Sequence, residues 1–202
     1  MEMYVVESLI EYIKLVEKIG NPEHHLSGID LQGRIFGNAG MGIEQTESPV
    51  IIRVPGNETT TRKAALLPSY SQPDKYEVVN WGSQVAILAL GKFFALGEKV
   101  KDKLEKEAGI NATLINPRYV TGVDEKVLRE PEKEHQLVLT LEDGVIDGGF
   151  GEKIARFYGC SSVKVLNFGA AKEFVNHVTA EEQYDRYHLT AEKIYGDIVN
   201  NL

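Results

Sequence analysis

The stretch Leu137–Gly159, LVLTLEDGVIDGGFGEKIARFYG, decides the fold of this chain. An apolar run ends on the acidic pair Glu142-Asp143, and the glycine-rich turn Gly148–Gly151 then opens an amphipathic segment. The run predicts a buried β-strand, and the segment after the turn predicts a helix. In open α/β sheets, ligands and partners bind where the strands end, so this turn is a candidate site. The alternative is a turn whose glycines serve only packing within the chain.

Three other apolar runs occur at a similar spacing. They are Gln84–Leu90, Asn111–Asn116 and Val163–Phe168, and together with Gln136–Glu142 they begin 27, 25 and 27 residues apart. Their hydrophobicity is continuous rather than alternating, which is typical of strands covered on both faces. We therefore predict four neighbouring, mostly parallel strands.

Helical patterns separate these runs. The segments are Lys92–Glu107, Asp124–Arg129 and Glu152–Tyr158, with Thr179 and Thr190 as N-caps of two terminal helices. Strands alternating with helices predict an α/β fold built from right-handed βαβ units. We expect a mainly parallel, mixed sheet of about five strands with helices on both faces. Tyr76–Asn80 is the expected edge strand.

The first third of the chain has a different pattern. Met3–Ile19 predicts an amphipathic helix, and Gly20–Gly42, with six glycines, predicts a loop. Pro49–Val54 (PVIIRV) predicts another strand, and the polar stretch Glu58–Asp74 predicts a linker into the following domain.

Composition excludes several classes of partner. The net charge of −8 and the pI near 5.2 argue against nucleic acid or a membrane surface as the partner. The N-terminus has no signal-peptide pattern, and the single cysteine, Cys160, rules out an intrachain disulfide. We expect a cytoplasmic protein in which Cys160 is a packed thiol rather than a nucleophile.

Chemistry-bearing residues are few. Glu142, Asp143 and Asp147 could bind a cation or act as an acid/base pair, or they could cap a helix start or hydrogen-bond across a subunit contact. Arg53 and Arg118 could each bind an anion or form a surface ion pair. The five histidines are scattered without zinc-ligand spacing, so we expect no metal site.

Ordered motifs cover about four-fifths of the chain. They are Ile43–Gly56 (IEQTESPVIIRVPG), Val85–Leu88 (VAIL), Ile115–Val120 (INPRYV) with Asp124-Glu125, Leu141–Gly144 (LEDG), Gly148–Glu152 (GGFGE) and Val165–Gly169 (VLNFG). With these motifs, residues 43–202 resemble the C-terminal part of the 1-deoxy-D-xylulose-5-phosphate synthase family, within the transketolase superfamily. The resemblance implies three segments: an unmatched N-terminal helix and loop at 1–42, the end of a pyrimidine-binding domain plus a linker at 43–73, and a transketolase C-terminal domain at 74–202.

The resemblance also limits the expected chemistry. Enzymes of this family bind thiamine diphosphate and Mg²⁺ through Gly-Asp-Gly and Asn-Asn motifs in an N-terminal domain, and activate the cofactor with a glutamate of the middle domain. This chain has neither feature, so we expect it to bind no cofactor alone and to carry no catalytic residue. The family's substrate-phosphate arginine corresponds to Gly56 here, which leaves Arg53 as the substrate-binding candidate.

Three functions remain open. The first is a C-terminal fragment or subunit of a thiamine-diphosphate-dependent 1-deoxy-D-xylulose-5-phosphate synthase of isoprenoid precursor synthesis, inactive alone and giving scaffold and dimer contacts. The second is the C-terminal subunit of a split transketolase-like enzyme, and the third is a stand-alone α/β module that binds a small anion.

The expected partner is a second copy of the chain or the missing N-terminal portion of the enzyme. The expected dimer contact consists of Glu142, Asp143, Gly148, Gly149, Phe150 and Gly151. Its glycines would let a partner backbone approach, and Phe150 would be an apolar anchor.

Overall fold

The computed structural model describes residues 2–5, 50–53 and 75–202 of the chain. Strands β1 (Glu2–Val5) and β2 (Val50–Arg53) pair in parallel. Strand β2 confirms the strand predicted at Pro49–Val54. The helix predicted from Met3 is wrong at its start, because Met3–Val5 belongs to β1: this short β-branched and aromatic run satisfies its backbone on β2 instead of within a helix.

Several other predictions for the first third lie outside the described residues. These are the rest of the predicted helix to Ile19, the glycine-rich loop Gly20–Gly42 and the linker Glu58–Asp74.

A five-stranded mixed sheet organises residues 75–202. Its strands are β3 (Glu77–Asn80), β4 (Gln84–Ala89), β5 (Thr113–Asn116), β6 (His135–Val145) and β7 (Lys164–Ala170). The spatial order is β3-β5-β4-β6-β7, with β3 antiparallel to β5 and every other neighbouring pair parallel. The predicted α/β fold, the four neighbouring parallel strands and the edge strand near Tyr76 are confirmed.

Helices fill the connections, as predicted. They are α1 (Phe94–Lys103), with a 3₁₀ turn at Gly91–Phe93 before it and a π turn at Leu104–Ala108 after it, α2 (Glu125–Leu128), α3 (Pro131–Glu134), α4 (Phe150–Tyr158), α5 (Ala180–Arg186) and α6 (Ala191–Val199). Thr179 caps α5 in a reciprocal arrangement with Glu182, and Thr190 caps α6. Both predicted N-caps are confirmed. None of the helices in the described ranges is long and apolar enough to cross a membrane.

Strand alternation divides the core between the two faces of the sheet. On β4, Val85 and Ile87 lie in one apolar cluster with α1 and α6, whereas Ala86 and Leu88 lie in a second cluster with α4. Successive side chains of a strand point to opposite faces, so a strand that is apolar throughout can bury both sides. This is the physical reason for the continuous apolar runs in the sequence.

Strand β6 extends further than its apolar run. It continues through the acidic pair to Val145, with an irregularity in its pairing with β7 between Leu141 and Val145. Beyond that irregularity Val145 pairs with Ala170, and the amide of Ile146 donates to the carbonyl of Ala170. Glu142 and Asp143 therefore lie in the distorted end of the strand rather than in the turn after it.

Candidate functional site

The carboxylate of Glu142 caps the helix that follows it. Alternation along β6 places Glu142 on the face of Val138 and Thr140, which is the face that α4 covers. One oxygen accepts from the amide of Phe150 at 2.8 Å, and the other accepts from the amide of Gly151 at 2.9 Å. A carboxylate at a helix N-terminus is stabilised by these unpaired amides and by the helix dipole. Of the four roles open for this residue in the sequence, helix capping is the one that the structure shows.

Two glycines of the turn are needed because the chain approaches itself closely. A Cβ atom at Gly149 would lie 2.6 and 2.7 Å from the oxygens of Glu142 and 2.7 Å from the carbonyl oxygen of Val145. A Cβ atom at Gly151 would lie 2.6 Å from Thr140 Oγ1. These contacts are within one chain, so packing of the turn already accounts for both glycines. They supply no evidence that a partner backbone approaches here.

Phe150 and Gly148 differ in their surroundings. The Phe150 side chain is 3% exposed, and its ring meets that of Tyr76 edge-on at a centroid distance of 6.5 Å. It fills the core of its own chain, which corrects the expectation of an apolar anchor at the surface. Gly148, in contrast, is exposed and has a left-handed backbone with φ of 74°. Its amide donates to Glu152 at 2.8 Å.

A second set of polar groups lies at the end of the neighbouring strand β4. Lys92 Nζ lies 3.1 Å from Asp143 Oδ2 and donates to the hydroxyl of Tyr184 at 2.9 Å. Burial alone would lower the pKa of Lys92, but the hydrogen bonds to Tyr184 and Asp143 outweigh it and raise the pKa above its usual value. Lys92 is therefore a fixed positive charge at the edge of the sheet.

This ion pair bridges the point where the strand order reverses. Strand β4 is followed by α1 on one face of the sheet, and its spatial neighbour β6 is followed by α4 on the other face. The two connections diverge at the carboxyl ends of β4 and β6, which is the position where open α/β sheets bind ligands. Lys92 follows β4, and Asp143 lies at the end of β6.

The remaining predicted residues lie elsewhere. Asp147 is exposed, and Cys160 is also exposed, which corrects the expectation of a packed thiol: it follows the last turn of α4, where the chain leaves the core. Arg118 is buried, with a φ of 63°, and donates through Nη2 to the carbonyl of Lys75 at 2.6 Å. This hydrogen bond ties the loop after β5 to the segment before β3. Arg53 is the last residue of β2, and its side chain lies outside the description.

Comparison with known proteins decides the family. A family profile described as "Transketolase, C-terminal domain" matches residues 74–194, more than half of the 202 residues. The chain belongs to the transketolase C-terminal domain family.

Relatives of this transketolase C-terminal domain include 1-deoxy-D-xylulose-5-phosphate synthases. That of Shouchella clausii is 35% identical over 164 residues, which are 80% of this chain and 26% of the relative. That of Carboxydothermus hydrogenoformans is 36% identical over 121 residues, 59% of this chain and 19% of the relative. The chain spans about a quarter or less of the length of these curated relatives.

Solved structures share the fold. A protein described as "Split gene transketolase, inactive beta4 tetramer" has a TM-score of 0.69 and 24% identity, with 81% of this chain and 54% of that chain covered. A transketolase of Pichia stipitis has a TM-score of 0.64 and 13% identity, with 99% of this chain and 25% of that chain covered.

Three features of this transketolase C-terminal domain were missed in the sequence. One is the contact of Lys92 with Tyr184, which joins distant helical segments. The others are Thr113 and His135, which lie at the amino ends of β5 and β6. Thr113 Oγ1 accepts from the amide of Gly82 at 2.8 Å and lies 2.8 Å from His135 Nε2. Burial lowers the pKa of His135. The sequence around this residue does not indicate burial, because His135 directly follows the charged segment Pro131–Glu134.

Proposed function

We propose that this chain supplies the C-terminal domain of a thiamine-diphosphate-dependent 1-deoxy-D-xylulose-5-phosphate synthase of isoprenoid precursor synthesis. The observation that carries the proposal is the similarity to such synthases over four-fifths of the chain, in agreement with the family profile. In the proposed reaction, pyruvate loses CO₂ and its remaining two carbons join glyceraldehyde 3-phosphate. The cofactor supplies the carbanion chemistry when it is bound in the complete enzyme. We place the chain in the cytoplasm on the basis of its composition.

The proposed role of the described region is structural. Glu142 is occupied by two amides of α4, and Asp143 by Lys92, so both carboxylates hold the edge of the sheet together. Within residues 75–202, no group of three or more His, Cys, Asp or Glu side chains is arranged to hold a metal ion.

Two measurements test this function. Calorimetric titration of the purified chain with thiamine diphosphate and Mg²⁺ is expected to show no useful affinity, and the chain alone is expected to release no CO₂ from pyruvate. Sub-micromolar binding by the chain alone would overturn the scaffold role. The second measurement adds a polypeptide that spans the N-terminal part of the Shouchella clausii relative and ends before the matched region.

The reconstituted pair separates the open functions. Deoxyxylulose phosphate formed from pyruvate and glyceraldehyde 3-phosphate only when both chains are present supports the proposal. Ketol transfer from xylulose 5-phosphate to ribose 5-phosphate, without use of pyruvate, would favour a split transketolase instead. Failure of the two chains to associate would contradict both functions.

We also propose a homodimer whose contact includes Glu142 and Asp143 at the end of β6 and the turn residues Gly148, Gly149 and Gly151. The support is Val145, which shortly precedes the turn and is 41% exposed. A partner chain that covers this side chain would remove its apolar surface from water.

Sedimentation tests the contact with two matched variants. Val145→Glu is expected to weaken self-association, whereas Val199→Glu, at a similarly exposed valine on α6, is expected to leave it unchanged. If Val199→Glu weakens association and Val145→Glu does not, the dimer contact lies at α6 and not at the turn. A wild-type chain that remains monomeric at high micromolar concentration would defeat the homodimer.

A further inference from the structure

A cavity of about 420 Å³ lies beside the Lys92–Asp143 ion pair. It is formed between the first turns of α1 and the segment that joins α5 to α6, from Tyr184 to Glu192. Its volume is within the range of pockets that bind small molecules. Lys92, which follows β4, is one of its lining residues.

The inner wall of the cavity is apolar and firmly packed. Phe93 and Leu189 are almost completely buried, and the Phe93 ring meets the ring of Tyr184 edge-on at a centroid distance of 5.7 Å. Leu96 and Ala191 complete this wall. A flat or aliphatic body placed against it would exclude water from apolar surface, which is favourable.

The polar side chains that line the cavity include two lysines, one of which is also paired with Asp143. Lys92 and Lys99 are cationic, Glu192 is the only anionic side chain among the lining residues, and the hydroxyl of Thr190 caps α6. Lys92 has three N–H groups, of which Tyr184 and Asp143 receive two. Lys99 is exposed and forms no ion pair within residues 75–202. The arrangement suits an anionic headgroup held between two lysines.

We propose that this cavity binds a small organic anion with an apolar or aromatic body, a class that includes carboxylates and phosphate monoesters. The headgroup lies near Lys92 and Lys99, and the body lies against Phe93 and Leu189. This site shares Lys92 with the ion pair that holds the edge of the sheet, but it needs neither thiamine diphosphate nor a partner chain.

The test uses the full chain and four probes. Phenyl phosphate and benzoate differ in headgroup, inorganic phosphate lacks the apolar body, and phenol lacks the charge. Calorimetry measures affinity, and amide chemical shifts locate the site. At least one of the two aromatic anions is expected to bind saturably with millimolar or better affinity, with shifts confined to residues 92–99 and 184–192. Inorganic phosphate and phenol are expected to bind more weakly, and the stronger aromatic anion identifies the preferred headgroup.

Charge reversals at two exposed lysines provide the control. Lys99→Glu is expected to weaken binding of the aromatic anion by about tenfold, because it replaces a partly screened attraction with a repulsion. Lys106→Glu, an equal charge change at an exposed lysine that does not line the cavity, is expected to leave affinity unchanged. Ala191→Trp fills the cavity and is expected to abolish binding, with a thermal melt to verify folding.

Three results would overturn the proposal. One is the absence of saturable binding by either aromatic anion. The second is an equal loss in the two lysine variants, which would indicate attraction by overall charge. The third is equal affinity for inorganic phosphate and phenyl phosphate, which would show that the apolar wall contributes nothing.

Discussion

Replacing Gly149 by alanine would test the close packing between the acidic pair and α4. The backbone of Gly149 is extended, with φ of −78° and ψ of −173°, so alanine adopts it without strain. The cost is therefore steric. The new methyl group would lie within 2.7 Å of both oxygens of Glu142 and of the carbonyl oxygen of Val145, and the side chain that can move is Glu142.

The magnitude follows from what Glu142 loses when it moves. Its two oxygens accept from the amides of Phe150 and Gly151, and hydrogen bonds to a charged group contribute about 1.5–3 kcal/mol each. Loss of one bond and weakening of the other costs about 3 kcal/mol, and reduced entropy of the unfolded chain offsets about 0.5 kcal/mol of this. We expect Gly149→Ala to lower the free energy of unfolding by about 2–3 kcal/mol.

Urea denaturation measures this change as a lower midpoint at an unchanged slope. Gly196→Ala is the matched control, because a Cβ atom at this α6 position meets nothing within 4 Å, and alanine there should stabilise by about 0.5–1 kcal/mol. A double-mutant cycle supplies the mechanism. In a Glu142→Ala background, Gly149→Ala should cost at least about 1 kcal/mol less than in the wild type.

Two outcomes would refute the reasoning. A Gly149→Ala variant within about 0.5 kcal/mol of the wild type would show that the turn relaxes freely. A full loss that does not depend on Glu142 would assign the collision to the backbone of Val145 instead. Sedimentation of the same variant tests the subunit contact. Weaker association with unchanged stability would indicate that Gly149 contacts a partner chain.

Three further predictions concern burial and backbone conformation. Burial lowers the pKa of His135 from 6.5, so the folded chain binds fewer protons than the unfolded chain. The contribution of neutral His135 to stability is therefore present above pH 6.5 and is lost as the pH falls through the folded-state pKa. Urea midpoints should therefore fall below pH 6.5, less steeply in His135→Gln, and an identical pH profile in that variant would contradict the assignment. Tyr158→Phe should lower the free energy of unfolding by about 1–2 kcal/mol, because it leaves the buried carbonyl of Leu128 without its hydroxyl donor. Thermal or urea unfolding measures the change, and an unchanged melting temperature would show that water replaces the hydroxyl. Gly148→Ala, at a left-handed φ with open space around it, should cost about 1 kcal/mol in urea without changing association if this glycine serves the turn alone.

The sequence by itself determined the elements and their order. Continuous apolar runs such as Gln84–Leu90 and Gln136–Glu142 predicted strands covered on both faces, and Thr179 and Thr190 marked two helix starts. These signals are local, because the period of a strand or a helix and the chemistry of an N-cap are contained within a few residues. The motif order added the family, and the structure confirmed the fold.

Only the tertiary structure decided which side chains meet. Alternation and an irregular register turn Glu142 toward the amides of α4, while its neighbour Asp143 reaches Lys92. The buried side chain of His135, at the start of β6, meets Thr113 of β5 past the start of the intervening strand β4, and nothing adjacent to His135 in the chain indicates that contact. Such pairings depend on strand order and register, which join residues far apart in the chain, and the roles of the acidic pair therefore stayed open until the sheet was assembled.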